Sequence, residues 1–159
     1  MRLERLQQLI SACGASIHDL SRVTLSGEPG KRVPRFNMPL ELGMAVQEAF
    51  HVPTHSFHIM EAERHRFDRS TSDLKAYDPY IHDNDPNGVL RAVLNALGGS
   101  RDRGTPSLRT MKVVYDLTVE TLRARKKTGE FTTVFDRSGF KELVAAATVA
   151  AAQEGLVPA

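Results

Sequence analysis

The chain has 159 residues, 41% hydrophobic and 25% charged, with one cysteine and a formal net charge of +2. An ordinary globular composition at this length excludes a disordered tail protein, a disulfide framework and a cysteine-rich zinc site. No apolar run approaches the roughly 20 residues of a membrane span, and the charged opening Met1-Arg2-Leu3-Glu4-Arg5 is unlike a signal segment, so the expectation is a cytoplasmic protein with no membrane partner.

The first periodic segment is 2–12. Leu3, Leu6, Ile10 and Cys13 recur at helical spacing with Arg and Gln between them, and Gly14 closes the helix. On that stripe Cys13 reads as a small buried hydrophobe. Ala15–His18 is short and apolar enough for a strand. Residues 24–37 collect Gly, Pro and charge and read as a long loop. A helix is expected over about 38–50, with Asn37 as N-cap and Leu42, Ala45, Val46 and Ala49 as its buried stripe. Ser56–Met60 is the second strand. Residues 61–85 are polar and irregular. Helices then follow at 87–97, 107–126 and 138–154, with a linker over 101–106 and an apolar patch over 131–135.

Helices alternating with strands imply a parallel sheet wrapped by helices. The expected fold is α/β and three-layered, with a short parallel sheet of flavodoxin-like type and extra C-terminal helices. Residues 1–100 are expected to carry the nucleotide-site domain, with 101–159 packed on it as a helical extension. Such folds usually open with a strand, whereas this chain opens inside a helix. Either a strand ahead of residue 2 is missing or a partner supplies one.

Chemistry concentrates in Ser16–Gly43. His18-Asp19-Leu20-Ser21-Arg22 ends the first strand, and Arg35-Phe36-Asn37-Met38-Pro39-Leu40-Glu41-Leu42-Gly43 starts the following helix. Open α/β sheets bind ligands at the carboxyl ends of strands and the amino ends of the next helices. Two carboxylates there, Asp19 and Glu41, suit a ribose and a sugar cation, with Arg22, Arg35 and Asn37 as donors and His18 and Ser21 beside them as expected ligand-binding residues. Glu41 is expected in the first helical turn, where the positive helix end keeps a carboxylate ionised, the state glycosidic chemistry requires. Gly43 leaves room for a ligand or a neighbouring backbone. The plainer readings are structural: Glu41 as a first-turn acid, Asp19 as the acceptor of an Asx-turn, His18 as a strand residue, and Arg22 and Arg35 as ion-pair or phosphate partners.

Asp19-Leu20 and Glu41-Leu42-Gly43 resemble the two motifs of the nucleoside 2-deoxyribosyltransferase-like superfamily, a neighbour of the Toll/interleukin receptor (TIR) NAD-cleaving domains. The longer runs Ile17–Val23 and Pro34–Gly43 are similar to a group of uncharacterised bacterial proteins, and that similarity continues through Ser72-Asp73-Leu74, Tyr77-Asp78 and Tyr80-Ile81-His82. The resemblance implies that Glu41 attacks the anomeric carbon and that Asp19 contacts the sugar. It also implies active sites shared between subunits, hence a homo-oligomer. Members of the bacterial group open with a strand and a polar-aromatic motif that this chain lacks, and Asn37-Met38-Pro39 replaces the small residues that precede the enzymes' Glu.

In the loop after the second strand, Tyr77 or Tyr80 suits stacking on a base and Asp73 or Asp78 a hydroxyl, against a plainer reading as a capped surface loop. His51, His55, His58 and His65 lie close in sequence without zinc-type spacing, so no metal is expected. The basic cluster Arg123, Arg125, Lys126 and Lys127 reads as the end of a helix, so nucleic acid is not an expected partner. Three functional readings remain: cleavage or transfer at an N-glycosidic bond of a nucleoside, nucleotide or NAD-like molecule; a nucleotide-binding sensor without turnover; and an interaction module. None needs a cofactor, since a nucleotide or NAD would enter as substrate or ligand.

Overall fold

The computed structural model describes residues 2–23, 25–31, 33–34, 36–70, 72–74, 76–98 and 105–157. They form two compact units, Met1–Ser100 and Arg101–Ala159.

The first unit is α/β. Its elements are α1 (Arg2–Ala12), β1 (Ala15–Asp19), β2 (Leu25–Ser26), β3 (Val33–Pro34), α2 (Asn37–His51), β4 (Ser56–Glu61), α3 (Arg66–Ser70), a 3-10 turn (Ser72–Leu74), β5 (Tyr80–Ile81) and α4 (Pro86–Leu97). The parallel sheet runs in the order β1-β4-β5. Ala15 pairs with Ser56 and Asp19 with Met60, then Met60 with Tyr80 and Glu61 with Ile81. The crossover from β1 to β4 carries the 15-residue helix α2, as parallel neighbours require. The expected short parallel sheet with helices is therefore present.

The stretch expected as a plain loop over 24–37 holds a two-stranded antiparallel ribbon, in which Leu25 pairs with Pro34 and Ser26 with Val33. The stretch over 61–85 holds α3, the 3-10 turn and β5. These elements are too short to carry a periodic apolar pattern, and tertiary pairing holds them.

Side chains alternate across β4. Ile59 meets Leu20, Leu42 and Phe67 in the core, with Val23, Met38, Val46, Phe57 and Leu74 packed around them. Met60 and Ala62 point the other way and are also buried. Burial on both faces is what a parallel sheet demands.

The second unit is a helix pair, α5 (Leu108–Lys127) packed on α6 (Arg137–Gln153). Ser107 and Asp136 cap the two amino ends by accepting from Thr110 N and Gly139 N. A Cβ at Gly139 would lie 1.9 Å from the Thr133 carbonyl oxygen, so the turn into α6 excludes any side chain there. The basic cluster does end α5, and its Arg125 pairs with Glu142 and Glu130.

Candidate functional site

β1 delivers Asp19 to the carboxyl edge of the sheet. There the chain turns, and the backbone N–H of Ser21 donates to Asp19 Oδ1 at 2.9 Å, an Asx-type turn. Ser21 itself is buried. From the loop after β5, the ring of His82 approaches the same oxygen, with Nε2 at 3.4 Å. His82 is buried, while the Asp19 side chain stays 44% exposed. Burial pushes the Asp19 carboxyl up, but the Ser21 hydroxyl and N–H and the His82 ring outweigh it and hold it below its ordinary value. Asp19 is thus an ionised acceptor at the strand end, with lone pairs left for a ligand.

Beside it, β4 ends in Glu61, which is 2% exposed. Its Oε1 accepts from the Ala62 N–H at 2.7 Å and from Arg66 Nη1 at 3.2 Å. Arg66 also donates to the carbonyls of Ser21 at 2.8 Å and Val23 at 3.0 Å. One guanidinium therefore ties the turn that holds Asp19 to the end of β4. The sequence reading missed Glu61, Arg66 and His82 as site residues. The available signal was positional, since Glu61 and His82 immediately follow apolar strand residues at the edge where parallel sheets bind ligands.

Glu41 stands on α2, and the structure does not bring it against Asp19: none of Asp19, Ser21 and His82 lines the cavity that Glu41 borders. A helix that alternates with parallel strands runs antiparallel to them, so the starts of α1 and α2 both lie toward the carboxyl edge. Leu3, Leu6, Asn37, Leu40 and Glu41 line a cavity of about 140 Å³ there. Glu41 is half-buried, and among the described residues its carboxylate has no hydrogen-bond or ion-pair partner. Two expectations are corrected. The helix starts at Asn37, with Phe36 at the N-cap and no side-chain cap, so Asn37 is its exposed first residue. Glu41 consequently falls just past the first turn, which holds no acid, and the helix-end field is weaker there. Gly43 is exposed and meets nothing within 4 Å of a Cβ position, so no neighbouring backbone requires a glycine.

The remaining expected site residues are dispersed. Arg22 is exposed, and Arg35 lies outside the described residues. Asp73 is exposed on the 3-10 turn. Tyr77 packs against Phe57 in a tilted pair, with ring centroids 4.9 Å apart.

His18, expected at the ligand site, is instead buried, because strand alternation turns it to the face opposite Asp19, and it ends a chain of hydrogen bonds that starts at the amino end of the sheet. His55 Nδ1 faces the Cys13 carbonyl at 2.8 Å, His55 Nε2 lies 3.3 Å from Ser16 Oγ, and Ser16 Oγ lies 3.0 Å from His18 Nε2. A carbonyl can only accept, which fixes the protons along the chain when both rings are neutral. His55 donates to Cys13, Ser16 donates to His55, and His18 donates to Ser16. His18 Nδ1 is left as a buried lone pair without a partner. Burial, then the nearby His55, pushes the His18 pKa down. Cys13 is exposed, against its reading as a buried residue, because the helix ends at Ala12 and Cys13 lies beyond the apolar stripe.

Among the described residues no three His, Cys, Asp or Glu side chains cluster as metal ligands, and no helix is long and apolar enough to cross a membrane. Comparison with protein-family models, with curated proteins and with solved structures gives no match.

Proposed function

We propose that the chain binds a nucleoside or nucleotide, NAD-like molecules included, at the carboxyl edge of its parallel sheet and cleaves or transfers at the N-glycosidic bond. The observation that carries this reading is the oriented, half-exposed carboxylate of Asp19 at the strand end, with Glu41 of α2 proposed as the second carboxylate. Asp19 is ionised and half-exposed at the end of β1, and Glu41 is half-buried over a cavity at the start of α2. Asp19 accepts a sugar hydroxyl. Glu41 meets the anomeric carbon as its bond to the base breaks, either as nucleophile or as counter-ion to the oxocarbenium-like centre. The resemblance of Asp19-Leu20 and Glu41-Leu42-Gly43 to the deoxyribosyltransferase motifs supports the same roles. A homo-oligomer belongs to this reading, because β1 is an edge strand among the described residues and an unpaired edge favours association.

A second reading is a nucleotide-binding sensor or signalling module without turnover. Two observations favour it. Glu41 lies beyond the first turn of α2, and one oxygen of Asp19 is already engaged by its own turn and by His82.

Base release, followed by liquid chromatography and mass spectrometry, separates the two. Wild-type protein and Glu41→Gln are incubated with NAD, ribonucleosides, deoxyribonucleosides and their monophosphates. The enzymatic reading expects free base or nicotinamide from the wild type and a loss of about 10³-fold or more in Glu41→Gln, with binding retained. Saturable binding without product selects the sensor, and neither binding nor product rejects both.

A further inference from the structure

The loop after β5 is built to hold one imidazole. The backbone N–H of Asn84 donates to His82 Nδ1 at 3.2 Å. That nitrogen is therefore the acceptor of the neutral ring, and the proton resides on Nε2, the atom that faces Asp19 at 3.4 Å. Two successive non-glycine residues, Asp83 and Asn84, take left-handed backbone angles, φ 54° and 56°, to bring this N–H into place. Such residues each cost free energy that the surrounding structure must offset. The offset is visible. His82 N donates to the Glu61 carbonyl at 3.0 Å and Asp85 N to the His82 carbonyl at 2.9 Å. Asp85 caps α4 by accepting from Gly88 N at 2.9 Å. A Cβ at Gly88 would lie 2.2 Å from the His82 carbonyl oxygen, so α4 is pressed directly against this residue. His82 is 3% exposed, yet it reaches a carboxylate that is 44% exposed. This much backbone constraint is more than a solvated aspartate needs.

We propose that His82 is a positioning residue: it donates Nε2–H to Asp19, holds that carboxylate at the end of β1 as a fixed acceptor, and makes the edge selective for a ligand presenting a hydroxyl donor. The proposal rests on the nucleoside reading for the identity of the ligand, but not for the His82–Asp19 contact. The groups that face Asp19 are Ser21 on its own turn and His82 from the β5–α4 loop. Glu61 on β4 is taken up by Arg66, which binds the carbonyls of the same turn. Among the described residues no Lys or Arg pairs with Asp19. His82 is therefore the side chain from another element that sets this carboxylate's orientation and charge state.

Three measurements on the full chain test it. First, the ¹⁵N shifts of wild-type His82 report its tautomer without any mutation. A protonated Nε2 with bare Nδ1 is expected, and the opposite tautomer overturns the proposal. Second, the Asp19 carboxyl is titrated by ¹³C NMR in wild type, His82→Leu and His82→Gln. His82→Leu moves the titration to higher pH, and His82→Gln, which keeps an N–H donor, restores part of the difference. An unmoved titration in folded His82→Leu overturns the proposal. Should His82→Leu not fold, the tautomer and the His82→Gln titration decide. Third, adenosine and 2′,3′-dideoxyadenosine are compared as ligands. Wild type favours adenosine by about tenfold, and His82→Leu loses that preference. Wild-type binding without preference overturns the selectivity. A shifted titration with no adenosine binding overturns the nucleoside reading while supporting the His82–Asp19 contact, so the two failures are distinguishable.

Discussion

The two ends of the parallel sheet hold polar groups of opposite kinds. From the amino end inward to His18, His55, Ser16 and His18 form a run of neutral hydrogen bonds that starts on a backbone carbonyl and ends on a buried lone pair. At the carboxyl edge two of the groups are carboxylates. Glu61 is neutralised by Arg66, while Asp19 is held by Ser21 and His82 and remains half-exposed. Polar groups that satisfy one another inside the protein specify the fold, whereas a carboxylate that is oriented, ionised and still partly open has capacity left for a ligand. Burial alone does not distinguish the two ends, since His18 and His82 are equally buried. What distinguishes them is whether the last member of each network faces the interior or the solvent.

Substitutions sharpen that contrast. The largest stability effect is expected from Arg66→Met, which leaves Glu61 buried and unpaired and frees the turn carrying Asp19. A loss of about 3–5 kcal/mol is expected, measured by urea unfolding. Gly88→Ala drives a methyl group into the His82 carbonyl and should cost about 1–3 kcal/mol while disturbing the carboxyl edge in NMR spectra. Ser16→Ala breaks the amino-half network and strands the His18 N–H and the His55 lone pair, at about 1–3 kcal/mol, with ligand binding unchanged. Asp19→Asn should do the reverse. Asn closes the same turn, so stability falls by about 1 kcal/mol or less, while ligand affinity is lost.

Acid separates the ends as well. His18 titrates near 6.5 when unfolded and lower when folded. The unfolded chain therefore binds more protons in that window, so stability falls as pH drops below about 6.5 toward the folded value. The contribution from Asp19 persists to lower pH: it is present above the unfolded value of 3.8 and is lost as pH falls through the depressed folded value. Stability profiles of wild type and His18→Gln should differ in slope through the upper window and run parallel in the lower one. The smallest effect belongs to the exposed pair Lys112–Asp116 on α5, where Lys112→Ala should change stability by about 0.5 kcal/mol or less.

Legibility in the sequence followed element length. Helices α1, α2, α4, α5 and α6 carry apolar periodicity over many residues, and each lies within one or two residues of its expected range. β1 and β4 have short apolar runs that suffice. The β2–β3 ribbon and β5 are two residues per strand, and no periodicity survives at that length. The site was legible in the same uneven way. Asp19 could be placed because it directly ends a strand. The first-turn position of Glu41 depended on a helix start that shifted by one residue, with Phe36 rather than Asn37 at the cap. Glu61, Arg66 and His82 meet Asp19 and its turn only through tertiary pairing of β1, β4 and the β5–α4 loop, and no local pattern joins residues 19 and 82.

The most direct test of the account is a ¹H–¹⁵N NMR titration of the full chain with adenosine, AMP and NAD. The account predicts saturable shifts at the amides of Ser21, Ala62, Asn84 and Glu41, with those of Ser16, His55 and Ser56 unmoved, and their loss in Asp19→Asn. Shifts confined to the amino half, or none with any of the three ligands, would contradict it.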